Sequence, residues 1–564
     1  MHISPPEAVK LLDVGVDPSS APMNVAELMF NHAAQRPTAI AFKIPQGSRG
    51  RITFESISFE TFAQRVQQLA RALKECGLAP GTKTLVLVSM GEAFVRSVYA
   101  LFALGAVPVC IDPGMGRKQF LDCIERIAPE ALLGTQKAVM LSRVPGIQAF
   151  KTIRIRHTVA ANPTLLPDSV KSPVLHYAAA QALGAIVFTS GSTGAPKAVP
   201  YTRGQMRAQV AMLQSAYGFG PADTDLPLLN AFSLFNPALG SATIVPPINP
   251  RRPAASLNPR QLWATLRAAG ATRSFGSPRL WSLIAHYAQA HNLSDPTMRQ
   301  IHLAGAPVPK PLVEALMHIF PQATIHSPYG ATEALPVSTL DGATRLALHA
   351  DNNHKKTPYV CIGTLLAGMQ AKIVPIKEGV MEAVHLYDEL PANTLGEIVV
   401  KGATVSESYV GDPEATRRTK IRTLQGTWHR MGDLGFKDTQ GRLWFCGRAA
   451  ERVTNNKLYW DTEPAEAVLR EHPQIKQAAL IGFGPKGKQT PAIAVTLKKP
   501  VLWPHKRLEL YYELDAWARA HPYTQDIDTF FIVRDMPVDI RHNAKIHRLA
   551  LARSLERRWK GRFN

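Results

Sequence analysis

At 564 residues, 46% of them hydrophobic and 19% charged, the chain is longer than one ordinary core needs and too apolar to be disordered or fibrous, so two or more globular domains are expected. Its 64 Lys and Arg against 43 Asp and Glu leave a formal charge of +21, a field that draws phosphorylated ligands, anionic membrane surfaces or nucleic acid. The basic residues are scattered and no nucleic-acid module accompanies them, which sets nucleic acid aside as a partner.

Near the start, Asp13 and Asp17 stand where a signal peptide would carry a basic and then an apolar stretch, so none is expected and a cytoplasmic protein is. Cys76, Cys110, Cys123, Cys361 and Cys446 show no CxxC spacing. They read as reduced core thiols, without a disulfide framework or a zinc site. ARALKECG closes a helix on a glycine, and the run from Leu85 then predicts a strand over 85–88, a helix over 92–104 and a strand over 106–111. Glu92 and Arg96 inside that run argue against a membrane span.

Ala185 to Phe188 predicts a buried strand, and the segment FTSGSTGAPK that leaves it can neither pack a core nor hold a helix. Gly191 and Gly194 allow backbone N–H groups to converge on an anion, Thr189, Ser190, Ser192 and Thr193 add hydroxyl donors, and Lys197 adds a positive charge. This is a phosphate cradle without the GxxxxGK[ST] spacing of a Walker A loop. Farther on, NAFSLFNPALG and the apolar residues Phe232, Leu234, Phe235, Phe275 and Trp281 offer material for an apolar channel.

HLAGAPVP at 302–309 and SPYGATE at 327–333 each read as a strand end entering a tight turn, and PLVEALMHIF between them puts Leu312, Ala315, Leu316 and Ile319 on one helical face. A carboxylate such as Glu333 beside a phosphate site suits Mg²⁺, a hard ion that takes one or two carboxylates together with phosphate oxygens. In TWHRMGDLGFKDTQGRLWFCGR an Asp at a strand end, Asp433, can accept both hydroxyls of a ribose. Alternating strands and helices make the class α/β, with layered sheets and helices in a large domain over 1–448 and a small α+β domain over 449–564 that ends in a basic helix. His286 and His291 flank a helical stretch without a third ligand, and no GxSxG elbow is present, so zinc and serine-nucleophile chemistry are set aside.

Taken together and in this order, TSGSTGAPK, HLAGAP, YGATE, GDLG with its following GR, and the lysine of HNAKIHR resemble the AMP-forming acyl-adenylate synthetases, over nearly the whole chain. The resemblance implies ATP and Mg²⁺ as cofactors and an acyl-AMP intermediate. It implies that Thr189, Ser190, Gly191, Ser192, Thr193, Gly194 and Lys197 meet the phosphates. Gly305, Ala306 and Pro307 then line the adenine pocket, with Tyr329 stacking near the base beside Gly330. Thr332 contacts the α-phosphate, Glu333 holds Mg²⁺, Asp433 and Arg448 hold the ribose, and Lys545 is the mobile catalytic lysine of the small domain.

Departures from the family pattern carry information about the second step. The hinge motif reads GRAAE, with Ala450 at the hinge position; Ser233 falls at or near the place of a gating histidine; and Asn543 with Ala544 replaces the usual Ser/Thr-Gly before the lysine. With FSLFNPALG and VDIRHNAKI these resemble the β-lactone synthetases of bacterial long-chain olefin biosynthesis. That branch implies a long-chain 2-alkyl-3-hydroxy acid as substrate, a β-lactone decarboxylase and a reductase as pathway partners, and a peripheral membrane contact through the basic tail. A long-chain acyl-CoA ligase, an acyl-AMP ligase serving a carrier protein, and a non-catalytic nucleotide-binding or membrane-surface protein remain open alternatives.

Overall fold

The computed structural model describes residues 23–47, 52–112, 114–164, 173–189, 195–248, 257–350, 358–501, 503–538 and 546–560. Residues 190–194 and Lys545, both assigned above from the sequence, lie outside them.

The strand–helix–strand unit read around Leu85 is present as strand Lys83–Leu87, helix Glu92–Leu104 and strand Val107–Cys110, the two strands pairing in parallel. The helix starts after Gly91 and stops at Gly105, whose φ of 73° is the left-handed cap that glycine adopts without a Cβ penalty. Glu92 and Arg96 are both buried: Glu92 Oε1 lies 3.7 Å from Arg65 and 3.7 Å from Arg96, and Arg96 also donates to the Ala160 carbonyl. The charges that interrupt the apolar run are thus paired inside a protein core. No helix among the described residues is long and apolar enough to cross a membrane.

These strands belong to a six-stranded sheet ordered Ile155–Thr158, Ala131–Gly134, Lys83–Leu87, Val107–Cys110, Leu183–Phe188 and Ala198–Thr202. All neighbours are parallel except the last two, which form a hairpin. Leu85 faces one core and Val86 the other, as the period-2 alternation of a strand covered on both faces demands.

A second sheet has fourteen strands and changes character along its length. Ile40–Gln46, Ala242–Ile244, Thr224–Pro227, Arg273–Gly276, Gln300–Leu303 and Thr324–Ala331 pair in parallel; from Thr324–Ala331 onward every pairing is antiparallel. Helix Lys310–Ile319 covers the parallel half, burying Leu312, Val313, Leu316 and Ile319, each side chain contributing about 1.5–3 kcal/mol by leaving water. Beyond residue 453 a three-stranded sheet, Ile475–Phe483, Thr490–Leu497 and Phe530–Ile532, carries its own cores with helices Thr462–Arg470, Pro504–Arg519 and Arg548–Lys560.

Three expectations need correction. Asp433 sits inside the strand Gly426–Lys437 rather than at its end, because that strand continues past the glycine next to it and pairs with Leu443–Arg448. Trp281 is fully buried, edge-on to Phe320 in the core under helix Pro278–Ala290, and does not line the apolar cavity described below. Cys76 is exposed at the end of helix Phe59–Glu75, whereas Cys123, Cys361 and Cys446 are buried, and none of the five is in a disulfide.

Candidate functional site

In parallel sheets, ligands gather at the carboxyl ends of strands, where loops leave and topology switches. Both sheets have such a place here. In the six-stranded sheet it is the hairpin Leu183–Phe188 to Ala198–Thr202; in the fourteen-stranded sheet it is the hairpin Thr324–Ala331 to Ala334–Asp341, with Thr332 and Glu333 at its turn. Tyr201 of the first hairpin donates its hydroxyl to the Thr332 carbonyl of the second at 2.5 Å, so the two turns face one cleft. The cleft opens on a cavity of about 2130 Å³ lined by Thr189, Lys197, Thr332 and Glu333, by Gly305, Ala306 and Pro307, and by Tyr329, Gly330, Asp433 and Arg448. Every described residue assigned from the sequence to nucleotide or catalysis lies on this one wall system.

Thr189 and Lys197 are joined by a reciprocal pair: the Thr189 N–H donates to the Lys197 carbonyl and the Lys197 N–H to Thr189 Oγ1, each at 3.0 Å. The Lys197 ammonium then lies 4.9 Å from the centre of the Tyr409 ring, a cation–π contact. Tyr409 donates its hydroxyl to Glu333 Oε1 at 2.7 Å. Burial, and then the Glu333 carboxylate, hold the Tyr409 proton on well above the usual phenol range, which fixes the tyrosine as donor. Oε2 of Glu333 remains as an acceptor for a hard cation. The described residues contain no group of three or more His, Cys, Asp or Glu able to hold a metal by themselves. That donor set fits Mg²⁺ arriving with a triphosphate, where the phosphates supply most of the ligands and the protein one carboxylate.

The hairpin turn depends on Gly330. A Cβ there would stand 2.7 Å from the Ala334 carbonyl oxygen and 3.0 Å from Leu335 Cδ1, too close for carbon. Gly330→Ala should therefore spread the hairpin, displace Thr332 and Glu333, and lower adenylation by about ten-fold or more through lost positioning. Pyrophosphate exchange measured with a melting curve checks this, and an unaltered exchange rate would show that the turn tolerates a side chain.

At the other side of the cleft, Asp433 pairs in register with Arg448 across adjacent strands. Arg448 Nε stands 2.9 Å from Asp433 Oδ1, and Tyr329 donates to Asp433 Oδ2 at 2.5 Å. Burial first, then the Asp433 charge, raise Tyr329 well above the ordinary phenol range, and Asp433 raises Arg448. The carboxylate is thereby held in place by two partners at the cavity wall. Gly305, with φ of 93°, turns the chain directly after strand Gln300–Leu303 and sets Ala306 and Pro307 on the cavity wall.

The same cavity continues into an apolar region. Phe232 stacks on Phe275 with ring centres 3.7 Å apart, and Leu234, Phe235, Tyr99, Phe102 and Val245 share the lining. The segment bearing Phe232 and Phe235 is pinned by polar groups behind it. Tyr99 donates to the Leu234 carbonyl and accepts from the Ala238 N–H, while Asn236 donates to Asp225 and Thr243 and accepts from Arg273. Ser233 is buried, donates to the carbonyl of Asn230 and does not itself line the cavity. Past Arg448, Ala449, Ala450 and Glu451 also reach the cavity, and Glu451 Oε2 is 2.8 Å from Arg548, whose other nitrogens grip Glu466 at 2.7 and 2.8 Å.

The sequence reading missed Tyr201, Tyr409 and Lys420. Burial pulls the Lys420 ammonium from its ordinary range down to about 7, opposed by Glu333 and reinforced by Lys197. Tyr201 lies just past Lys197 in the same segment, Tyr409 and Lys420 sit in no distinctive string, and only the fold brings the three beside Glu333.

The model of a family described as AMP-binding enzyme matches residues 29–410. An olefin β-lactone synthetase of Xanthomonas campestris pv. campestris is 35% identical over 560 residues, covering 94% of this chain and 97% of its own. One of Stenotrophomonas maltophilia is 33% identical over 554 residues, covering 94% and 98%. Among solved structures, O-succinylbenzoate Coenzyme A synthetase from Bacillus subtilis, in complex with ATP and magnesium ion, superimposes with a TM-score of 0.73 at 20% identity, covering 94% of this chain and 100% of that one. That likeness shows the fold, and with the family match over more than half of the chain it means that this protein belongs to the AMP-binding enzymes.

Proposed function

We propose that the chain uses ATP and Mg²⁺ to adenylate a long-chain 2-alkyl-3-hydroxyalkanoic acid and then closes the acyl group into a β-lactone. The observation that supports this most is one cavity whose lining joins Lys197, Glu333, Asp433 and Arg448 to the apolar wall of Phe232, Phe235 and Phe275. Relatives over nearly full length are named olefin β-lactone synthetases.

In this reading, a carboxylate oxygen of the acid attacks the α-phosphorus of ATP, the bond to the β-phosphate oxygen breaks, and pyrophosphate leaves. Lys197 offsets charge that builds on the phosphates, Asp433 and Arg448 hold the ribose, and Gly305 to Pro307 hold the base. Mg²⁺, when bound with the phosphates at Glu333, supplies further charge neutralisation. The 3-hydroxyl oxygen then attacks the activated carbonyl, its proton passing to solvent or to the departing phosphate, and the bond to AMP breaks as the ring closes. Having the nucleophile within the substrate removes the need for a thiol. Residues 1–448 form the nucleotide- and acyl-binding domain in this reading, and 449–564 the domain that brings Lys545 to the reacting phosphate. In this reading the chain is cytoplasmic and works beside a reductase and a β-lactone decarboxylase of the same pathway.

The test compares two acids of equal length, with and without the 3-hydroxyl, without any thiol present. The hydroxy acid should release AMP through repeated turnovers, and the deoxy acid should stop after about one equivalent of pyrophosphate with acyl-AMP held in the site. Equal turnover of both acids would refute ring closure by the substrate's own hydroxyl.

A further inference from the structure

A buried lysine in this molecule takes no part in the chemistry proposed for the cavity. Lys420, first residue of the strand Lys420–Thr423, is 5% exposed. Lysines ordinarily keep their charge in water along an apolar stem. Here Nζ is turned inward, donating to the Ser406 carbonyl at 2.5 Å and to Ser406 Oγ at 2.9 Å, and it stands 5.6 Å from the centre of the Tyr409 ring. The Glu333 and Glu407 carboxylates act on it electrostatically, but it forms no ion pair among the described residues. A cation buried on such terms needs a reason.

The reason lies in what Ser406 and Tyr409 hold. The segment from Val405 to Val410 bridges the two hairpins: Gln205 donates to the Val405 carbonyl, and the Val410 N–H donates to the Ala198 carbonyl. From this bridge the Ser406 N–H donates to the Glu333 carbonyl at 2.8 Å, and the Tyr409 hydroxyl to Glu333 Oε1 at 2.7 Å. Glu333 is therefore gripped at backbone and side chain by one short segment, and Lys420 fastens that segment from behind through its serine. The ring of Tyr409 lies within cation–π range of both lysines, Lys197 at 4.9 Å and Lys420 at 5.6 Å.

We propose that Lys420 is a positioning residue for the Glu333 carboxylate, acting through Ser406 and Tyr409 to aim it at the cation that accompanies the nucleotide. The inference rests on the reading of Glu333 as the carboxylate that meets Mg²⁺. It requires that loss of the Lys420 bonds loosen Glu333 without touching the adenine and ribose contacts.

The experiment titrates a non-hydrolysable ATP analogue into the full-length protein by calorimetry, with and without Mg²⁺, for wild type, Lys420→Met, Tyr409→Phe, the double variant and Glu333→Gln. Lys420→Met and Tyr409→Phe should each weaken the magnesium-dependent gain in affinity about ten-fold, with metal-free affinity within about two-fold of wild type. The double variant should lose no more than the larger single loss, because both act on one link. A wild-type magnesium gain in Lys420→Met beside a lost gain in Glu333→Gln overturns the proposal and leaves the Glu333 reading standing. So does an equal loss with and without the metal, which is what a purely structural lysine would give. An unchanged gain in Glu333→Gln overturns that reading and this proposal with it. If Lys420→Met does not fold, Ser406→Ala, which removes the hydroxyl that Lys420 bonds, decides by the same criteria.

Discussion

Lys197→Met is expected to slow acyl-adenylate formation by about 10²–10³-fold, the usual consequence of removing one preorganised charge or donor from a developing anion. The substitution is clean because the backbone at this position is held without the side chain: both hydrogen bonds to Thr189 use main-chain groups of residue 197. What is lost is the ammonium on the Tyr409 ring, on the cavity wall. The variant should therefore fold, melt near the wild-type temperature and bind AMP, and it should fail in exchange of pyrophosphate into ATP. Exchange at the wild-type rate would remove Lys197 from the mechanism.

Asp433→Ala is the second large effect, and it acts on binding. If the carboxylate accepts from both ribose hydroxyls, each such bond to a charged acceptor contributes about 1.5–3 kcal/mol. AMP affinity should then fall by about 10²-fold or more. The alanine also strips Arg448 and Tyr329 of a partner that each now holds within 3 Å, so Tyr329→Phe serves as the control for lost orientation alone and should cost about ten-fold or less. An AMP dissociation constant in Asp433→Ala within about two-fold of wild type would place the ribose elsewhere.

The two predictions draw on residues legible from the sequence, and the reason is chemical. A phosphate site needs glycines, hydroxyls and a lysine close together in the chain, because a single loop has to wrap a small anion; hence Thr189, Lys197 and the string between them stand out. Helix Glu92–Leu104 was equally readable, from the charges Glu92 and Arg96 that interrupt its apolar run. Tyr409 and Tyr201 were not, because their importance comes from pairings across 76 and 131 residues of chain, to Glu333 and Thr332, and Lys420 matters only through the serine that joins the same bridge. Trp281 misled for a related reason: an aromatic residue looks the same in a core as in a channel, and only the neighbour Phe320 decides. The antiparallel half of the large sheet was hidden too, since strand direction is set by partners that the local pattern does not record.

Ring closure is the central claim, and its most direct test is one reaction of purified protein, Mg-ATP and a synthetic 2-alkyl-3-hydroxy fatty acid, with no coenzyme A, followed by proton NMR and an AMP assay. The account predicts β-lactone ring resonances that grow in step with AMP. Product or AMP that forms only after coenzyme A is added would contradict it and make the protein a thioester-forming ligase with the same nucleotide site.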